Sequence, residues 1–464
     1  MSRANASEAA TGAALHAGPV APARRYQQLR PLRNGPSRED VQRNQRVRLH
    51  AAMIETVGER GYGATTVTEL CTRAGVSTKT LYDRFFSKEG CFLATYELVV
   101  ARAIKCATAA YGGGQDWPDC LRRALETSVC EVAAESDAAR LALVEAPGAG
   151  RPALAQTERV RRTLEQLFSA SFAQAPGAIV PDEFVIKGIV GGIVAVLRLR
   201  LLDGGVAEPS RLARELLEWT LSYRSSAGAV LSADLAPEYQ TAAGSLQQVP
   251  GRPRDSPANE RSRVLQGVLR CVAVNGYDGL TVDGIMREAR VSEQTFFEHF
   301  KNGEQCFKEA LADRQRVALA CLTETPQAPE DWTSALRGNL RSLLAYLAAD
   351  PDFARVACVE ILALGSEGVR SSAAWTQAIA TRLRDFVPEP ERPGKTVSQA
   401  IAGALLELIR HQVARGAADR LEDLLDRSTY LVLAPLIGPD PAIGVIDHLK
   451  GKSSVTRKPV AILV

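Results

Sequence analysis

TVTELCTRAGVSTKTLYDRFFSKEGCF, residues 66–92, reads as two short capped helices joined by a tight corner. Thr66 places a hydroxyl where it can cap a helix, and Glu69, three residues on, completes a capping box. Val67, Leu70, Cys71 and Ala74 recur at helical spacing, and Gly75 ends the run at a position suited to left-handed backbone. Val76 plugs the corner, Ser77 caps the next helix, and Leu81 and Phe85 give that helix a buried side. With those two turned inward, Thr78, Lys79, Tyr82 and Asp83 fall on the outward side near the helix N-terminus. Upstream, Leu49, Met53, Ile54 and Val57 form the stripe of an earlier helix that ends near Gly61. The set is a helix-turn-helix, which offers its last helix to the major groove of a DNA duplex.

The stretch recurs once, 215 positions later and without a gap. Gly61, Tyr62, Thr66 and Val67 return as Gly276, Tyr277, Thr281 and Val282; Ala74, Val76, Ser77, Phe85 and Phe92 return as Ala289, Val291, Ser292, Phe300 and Phe307. The register persists through Asp116 and Trp117, matched by Asp331 and Trp332, and through Arg140, Val144 and Glu145, matched by Arg355, Val359 and Glu360. Small insertions then shift it, so that GGIVAVLR at 191–198 aligns with GALLELIR at 403–410. A period this long describes two whole units in series, not a solenoid of short repeats.

Residues 66–92 resemble the signature of the TetR family of regulators: a second helix, an AGVS corner, a helix ending in LY-x-x-F, and a following KE pair. The resemblance implies an all-α fold with two tandem TetR-like units, each an N-terminal three-helix head followed by a helical bundle. It also implies that the third helix reads an operator, with Thr78, Lys79 and Thr80 facing bases and Thr66, Tyr82 and Lys88 holding phosphates. Ser77 belongs to the same face, and Arg84, in place of the usual ring, adds a further cation. In the second copy the expected set is Thr281, Ser292, Gln294, Thr295, His299 and Lys301, with Gln294 able to pair with adenine.

That copy, TVDGIMREARVSEQTFFEHFKNGEQCF at 281–307, departs from the pattern. Arg290 replaces the corner glycine, Phe297 the tyrosine, and Gly303 the lysine, while Glu293 and Glu298 bring carboxylates to a face that would meet phosphates. The second head is therefore expected either to bind DNA weakly or with another specificity, or to be retained for structure alone. Residues 1–90 carry fourteen Lys and Arg against eight Asp and Glu, whereas residues 251–312 carry nine of each, so the basic footprint lies in the first copy.

Behind each head, long helices are expected at 88–110, 116–135, 137–146, 152–174, 182–203 and 209–226, with equivalents over 303–437. Asp116 and Asp331 can cap their helices, with Trp117 and Trp332 packing in the core. Gly188, Gly191 and Gly192 lie among Ile189, Ile193 and Val196; glycine is costly inside a helix, so the cluster points to close approach of another backbone or a ligand. The resemblance implies that such helices pair the units, either within one chain or in a homodimer, and that each bundle takes an unidentified small-molecule effector. Glu145 and Glu360 either face that effector or are solvated.

The expected domains are a disordered basic arm (1–44), a first head (45–92) and bundle (93–227), a linker (228–259), a degenerate second head (260–307) and bundle (308–438), and a tail (439–464). The Arg residues of the arm either reach a groove or belong to a solvated tail. The function expected is a sequence-specific, ligand-responsive transcription repressor; the alternative is a ligand-binding or interaction protein that has lost specific DNA binding. No GxSxG, HExxH or Walker loop is present, and Gly451, Lys452 and Ser453 lack the earlier glycine of a phosphate loop. No catalytic residue, cofactor or metal site is expected. The nine cysteines show no CxxC pair and read as reduced core residues of a cytoplasmic protein. The apolar run 179–202 is broken by Asp182, Glu183, Lys187 and Arg198, which excludes a membrane span.

Overall fold

The computed structural model describes residues 37–175, 180–224, 257–323 and 332–455. The arm through residue 36, most of the linker, Asp331 and the last nine residues lie outside this set. Among the described residues the chain is helical throughout, with no strand.

The first half opens with α1 (Arg38–Arg60), α2 (Val67–Ala74) and α3 (Thr78–Phe85). Helix α4 (Lys88–Tyr111) leads into the body, which continues with α5 (Trp117–Ala134), the short α6 (Ser136–Arg140), α7 (Arg151–Ala173), α8 (Glu183–Leu202) and α9 (Pro209–Leu221). The second half repeats the plan. Its head is α10 (Pro257–Asn275), α11 (Val282–Ala289) and α12 (Glu293–His299), and its body is α13 (Gly303–Ala320), α14 (Trp332–Ala349), α15 (Pro351–Cys358), α16 (Ser366–Phe386), α17 (Lys395–Ala414) and α18 (Leu425–Ile437), with α19 (Pro439–Val455) last.

Three boundaries differ from the sequence reading. Helix α1 starts at Arg38, inside the expected arm, because the Ser37 hydroxyl accepts the Asp40 amide and Glu39 and Asp40 place negative charge on the positive end of the helix dipole. The expected tail is helical over Pro439–Val455, anchored by Ala442 and Ile446, which are fully buried. Between α6 and α7 the helix expected at 137–146 passes into a π-helical turn, Leu141–Glu145, and then a 3-10 turn, Ala146–Gly148. Single π turns of this kind are rare and often mark functional positions.

The halves pack on each other through α8 and α17, and the glycines explain how two backbones come so close. A Cβ on Gly192 would lie 2.6 Å from the Ala400 carbonyl oxygen, Gly191 faces the Glu407 side chain, and Gly403 faces Ala195. Around this contact Tyr223, fully buried, donates its hydroxyl to the Leu431 carbonyl at 2.8 Å, and Arg200 bonds Gln399 at 2.8 Å and Thr396 at 3.0 Å across the seam. Arg427 lies 3.9 Å from the centre of the Phe184 ring and 3.5 Å from Asp182. Apolar burial supplies the adhesion, and the polar crossings fix the register.

Trp117 and Trp332 are core residues, as expected; Trp117 donates its indole N–H to the Ser171 hydroxyl at 3.0 Å. Cys71, Cys91, Cys271, Cys306 and Cys358 are buried thiols, whereas Cys130 is exposed. Among the described residues no helix is long and apolar enough to cross a membrane.

Candidate nucleic-acid interface

In the first head the Thr66 hydroxyl accepts the Glu69 amide, and the Glu69 carboxylate accepts the Thr66 amide in return, so the capping box is complete. Gly75 adopts left-handed backbone (φ 59°, ψ 44°) and its carbonyl takes a hydrogen bond from the buried Arg48 guanidinium, which fixes the corner to α1. Ser77 caps α3 by accepting the Thr80 amide at 3.2 Å. Leu81 and Phe85 are buried beneath α3. The consequence is an exposed row of Thr78, Lys79, Tyr82 and Asp83, with Tyr82 half exposed at 49%.

The remaining expected residues are placed less simply. Ser77 and Thr66 are exposed, but their hydroxyls already serve the caps. Thr80 is half-buried, with its hydroxyl 3.0 Å from that of Ser77. Arg84 leans back on α1, 3.3 Å from the Gln45 side-chain oxygen. Lys88 departs most from the expectation of a free phosphate ligand: its amine donates to the carbonyls of Tyr62 (3.2 Å) and Thr65 (3.0 Å) and lies 4.3 Å from the Tyr62 ring centre. Partial burial lowers its pKa.

The second head keeps the frame and changes the face. Thr281 accepts the Gly284 amide, but glycine at the position of Glu69 leaves the box without its carboxylate. Arg290 is forced into left-handed backbone (φ 54°, ψ 51°) where the first head has glycine. Ser292 caps α12 and its hydroxyl meets that of Thr295 at 2.9 Å. Glu293, Gln294, Phe297 and Glu298 form the outward row, and the amide of Gln294 is held by Glu298 at 3.0 Å. His299 is half-buried with its Nε2 shielded from solvent, which takes that nitrogen off the outward face; Lys301 is exposed.

Three features escaped the sequence reading. Phe86 follows α3 in left-handed backbone (φ 61°) with 88% of its surface exposed. His50, enclosed between Phe85 and Thr95, is held at a pKa of about 4 by burial, with Arg46 adding to the effect. Glu145 is not solvated: it is buried and accepts the Tyr62 amide at 2.9 Å, tying the first head to the π turn. Its counterpart Glu360 pairs with Arg355 at 3.0 Å instead.

Two segments, 49–95 and 264–310, match the family model for bacterial regulatory proteins of the tetR family, and they repeat the offset found within the chain. Each half of the chain carries a tetR-family head, repeated in tandem. It is 29% identical over 153 residues to the class A tetracycline repressor protein from transposon 1721 of Escherichia coli, covering 31% of this chain and 64% of that protein. It is 38% identical over 66 residues to the transcriptional repressor AcnR of Corynebacterium efficiens, covering 14% and 35%. The chain thus spans less than two thirds of the length of either relative. Among solved structures, a TetR-like regulator from Rhodococcus sp. RHA1 aligns over 39% of this chain and 96% of its own, with 20% identity and a TM-score of 0.34.

Proposed function

We propose that this duplicated tetR-family chain is a transcription repressor that grips duplex DNA chiefly through its first head and releases it when a small molecule occupies the body. The observation that carries the reading is the outward row of α3. Lys79 offers a cation and Thr78 a hydroxyl to base edges, and the half-exposed Tyr82 offers a hydroxyl to a phosphate, on a helix pinned from below by Leu81 and Phe85. The repressor assignment is supported by the names of the two relatives described above.

The pairing of α8 with α17 supports a pseudo-twofold unit within one chain that carries two unlike heads. Operator symmetry mirrors protein symmetry, so the favoured site is asymmetric, with one strongly and one weakly contacted half. A route from body to head is present in the bonding. The Leu143 carbonyl takes the Arg198 Nε–H at 2.9 Å, Glu145 in the same π turn takes the Tyr62 amide, and the Tyr62 carbonyl takes Lys88 at the start of α4. A ligand that prefers one arrangement of this turn would shift the head between two populations.

A gel shift on fragments of the flanking intergenic DNA, at fixed salt, tests the assignment. The double variant Lys79→Ala with Tyr82→Phe is expected to lose at least about thirtyfold in specific affinity, the scale of one to two lost direct contacts. Specific binding that survives this change would reject α3 as the reading helix. Absence of specific binding by the wild type would favour a ligand-binding protein that no longer reads DNA.

A further inference from the structure

A cavity of about 130 Å³ lies where the halves meet, bordered by α7 and α8 of the first and by α16 and α17 of the second. Tyr96, Leu143, Val194, Leu362, Trp375 and Leu406 give it apolar walls. Three guanidinium groups, of Arg161, Arg198 and Arg410, face it with two carboxylates, of Glu158 and Glu407. Two of the arginines are neutralised. Arg161 lies 2.5 Å from Glu407 and 3.7 Å from Glu158, and Arg410 lies 2.6 Å from Glu407 and 3.2 Å from Glu158. Arg198 has no carboxylate within ion-pair reach among the described residues; its Nε–H goes to the Leu143 carbonyl.

The internal symmetry of the chain shows what is missing. Arg198 and Arg410 occupy the same position in GGIVAVLR and GALLELIR, and the place of Glu407, three residues before Arg410, is taken by Ala195 before Arg198. Helices α7 and α16 both begin after a positive-φ glycine, Gly150 and Gly365, so Glu158 corresponds to Ala373 and Arg161 to Thr376. Both carboxylates that neutralise Arg410 are thus alanines around Arg198. A partly buried cation that shares only the more distant charge of Glu407, already bonded to Arg161 and Arg410, is costly unless something completes it.

We propose that this cavity binds a small organic monoanion, a carboxylate on a compact apolar body, and that Arg198 is its ion-pair partner. The inference rests on the reading of the body as the effector-binding part and names the chemistry of the effector. The cavity is close in size to one of about 150 Å³ that holds benzene, which limits the apolar part to a single ring or a short chain. Burial lowers Arg198 to about 10, so it still carries its charge at neutral pH. Burial raises Glu407 to about 6 against the pull of Arg161, and it is ionised there too, leaving one net positive charge.

Calorimetry on the full chain without DNA, using benzoate and hexanoate against benzamide and hexanamide, tests this directly. Each anion is expected to bind at least tenfold tighter than its amide. Arg198→Gln is expected to erase the preference, and so is Ala195→Glu, which supplies the carboxylate that the second half has at Glu407; circular dichroism checks that both variants fold. Equal binding of anion and amide, an anion preference that survives in the folded Arg198→Gln protein, or no binding of any probe at millimolar concentration would each overturn the proposal. Operator binding by the probe-free wild type, run in parallel, reports on the regulator reading separately.

Discussion

The two heads share a backbone plan and differ in what they turn outward and in how they are joined to the body. Both have three helices, a serine cap on the third, and two aromatic or aliphatic anchors beneath it. On α3 the outward residues are Thr78, Lys79, Tyr82 and Asp83; on α12 they are Glu293, Gln294, Phe297 and Glu298. The buried apolar residues of the first head form a cluster of their own, completed by Leu141, Ala146, Ala149 and Ala153 from the turns before and at the start of α7. Those of the second head are continuous with the core of the whole body. The difference teaches that duplication leaves the buried frame under the same packing constraint in both copies while the surface and the attachment drift. The first head packs as a cluster separate from the main core, the second as part of that core.

The largest expected effect comes from moving the second head's chemistry onto the first. Thr78→Glu places on α3 the carboxylate that α12 carries at Glu293. If α3 reads DNA as proposed, repulsion by phosphates and loss of the outward Thr78 hydroxyl should lower DNA affinity by about a hundredfold, on the order of 3 kcal/mol, measured by fluorescence anisotropy at fixed salt. Glu293→Thr should change it by less than about threefold. Equal effects would mean that both heads read DNA alike.

Acid should separate the heads next. His50 is held at about 4, against an ordinary value of 6.5, and the matching residue in the second head is Leu265. A depressed folded-state pKa means that the unfolded chain takes the proton first, so stability from this group is intact above pH 6.5 and is lost as the pH falls toward 4. The loss should be roughly 2–3 kcal/mol and confined to the first head. Hydrogen exchange of head amides between pH 7 and 5, corrected for intrinsic rates, should show it, and His50→Leu should remove it. The same acid response in both heads would refute the assignment to His50.

The tether gives a smaller, still measurable contrast. Glu145→Ala leaves the Tyr62 amide without its buried acceptor and should cost about 1–2 kcal/mol, with faster exchange of that amide. Glu360→Ala breaks a pair whose arginine is 43% exposed and should cost less than about 0.5 kcal/mol. If Glu145 transmits the state of the body, its alanine variant should also bind DNA with an affinity that a ligand no longer changes.

What the sequence revealed, and what it hid, follows from the range of each interaction. Caps, corner glycines and the stripes of α1 to α3 are local, set by residues within a turn or two of each other, and Thr66, Gly75, Ser77, Leu81 and Phe85 were legible for that reason. The glycines of α8 announced a close approach without saying to what; the answer, Ala400 and Glu407, lies some two hundred residues on. The inward turn of Lys88 was hidden because its acceptors are backbone carbonyls of a loop, which carry no sequence signal. Glu145 was ambiguous for the opposite reason: a lone charged residue on a helical pattern looks solvated until its spatial neighbours are known. The helix at 439–455 is not legible because the segment shows no sustained apolar period, and its anchoring contacts, Ala442 and Ile446, are tertiary.

The smallest effect bears most directly on why the second head persists. Arg290 holds left-handed backbone at the corner, a conformation that costs an L-residue about 1–2 kcal/mol and glycine nothing. Part of that gain is offset by the greater freedom of glycine in the unfolded chain, so Arg290→Gly should stabilise the second head by roughly 0.5–1 kcal/mol, read as slower opening of its amides in hydrogen exchange. The reverse change, Gly75→Arg, should destabilise the first head by a similar amount. DNA binding by Arg290→Gly then decides between two histories. If affinity and its salt dependence are unchanged, the strained arginine is drift tolerated by a head that no longer touches DNA. If affinity falls more than threefold and the salt slope drops by about one ion, the arginine is a phosphate contact kept at the expense of stability. In that case the second head is a reader in its own right, and the contrast between the heads is one of specificity rather than of loss.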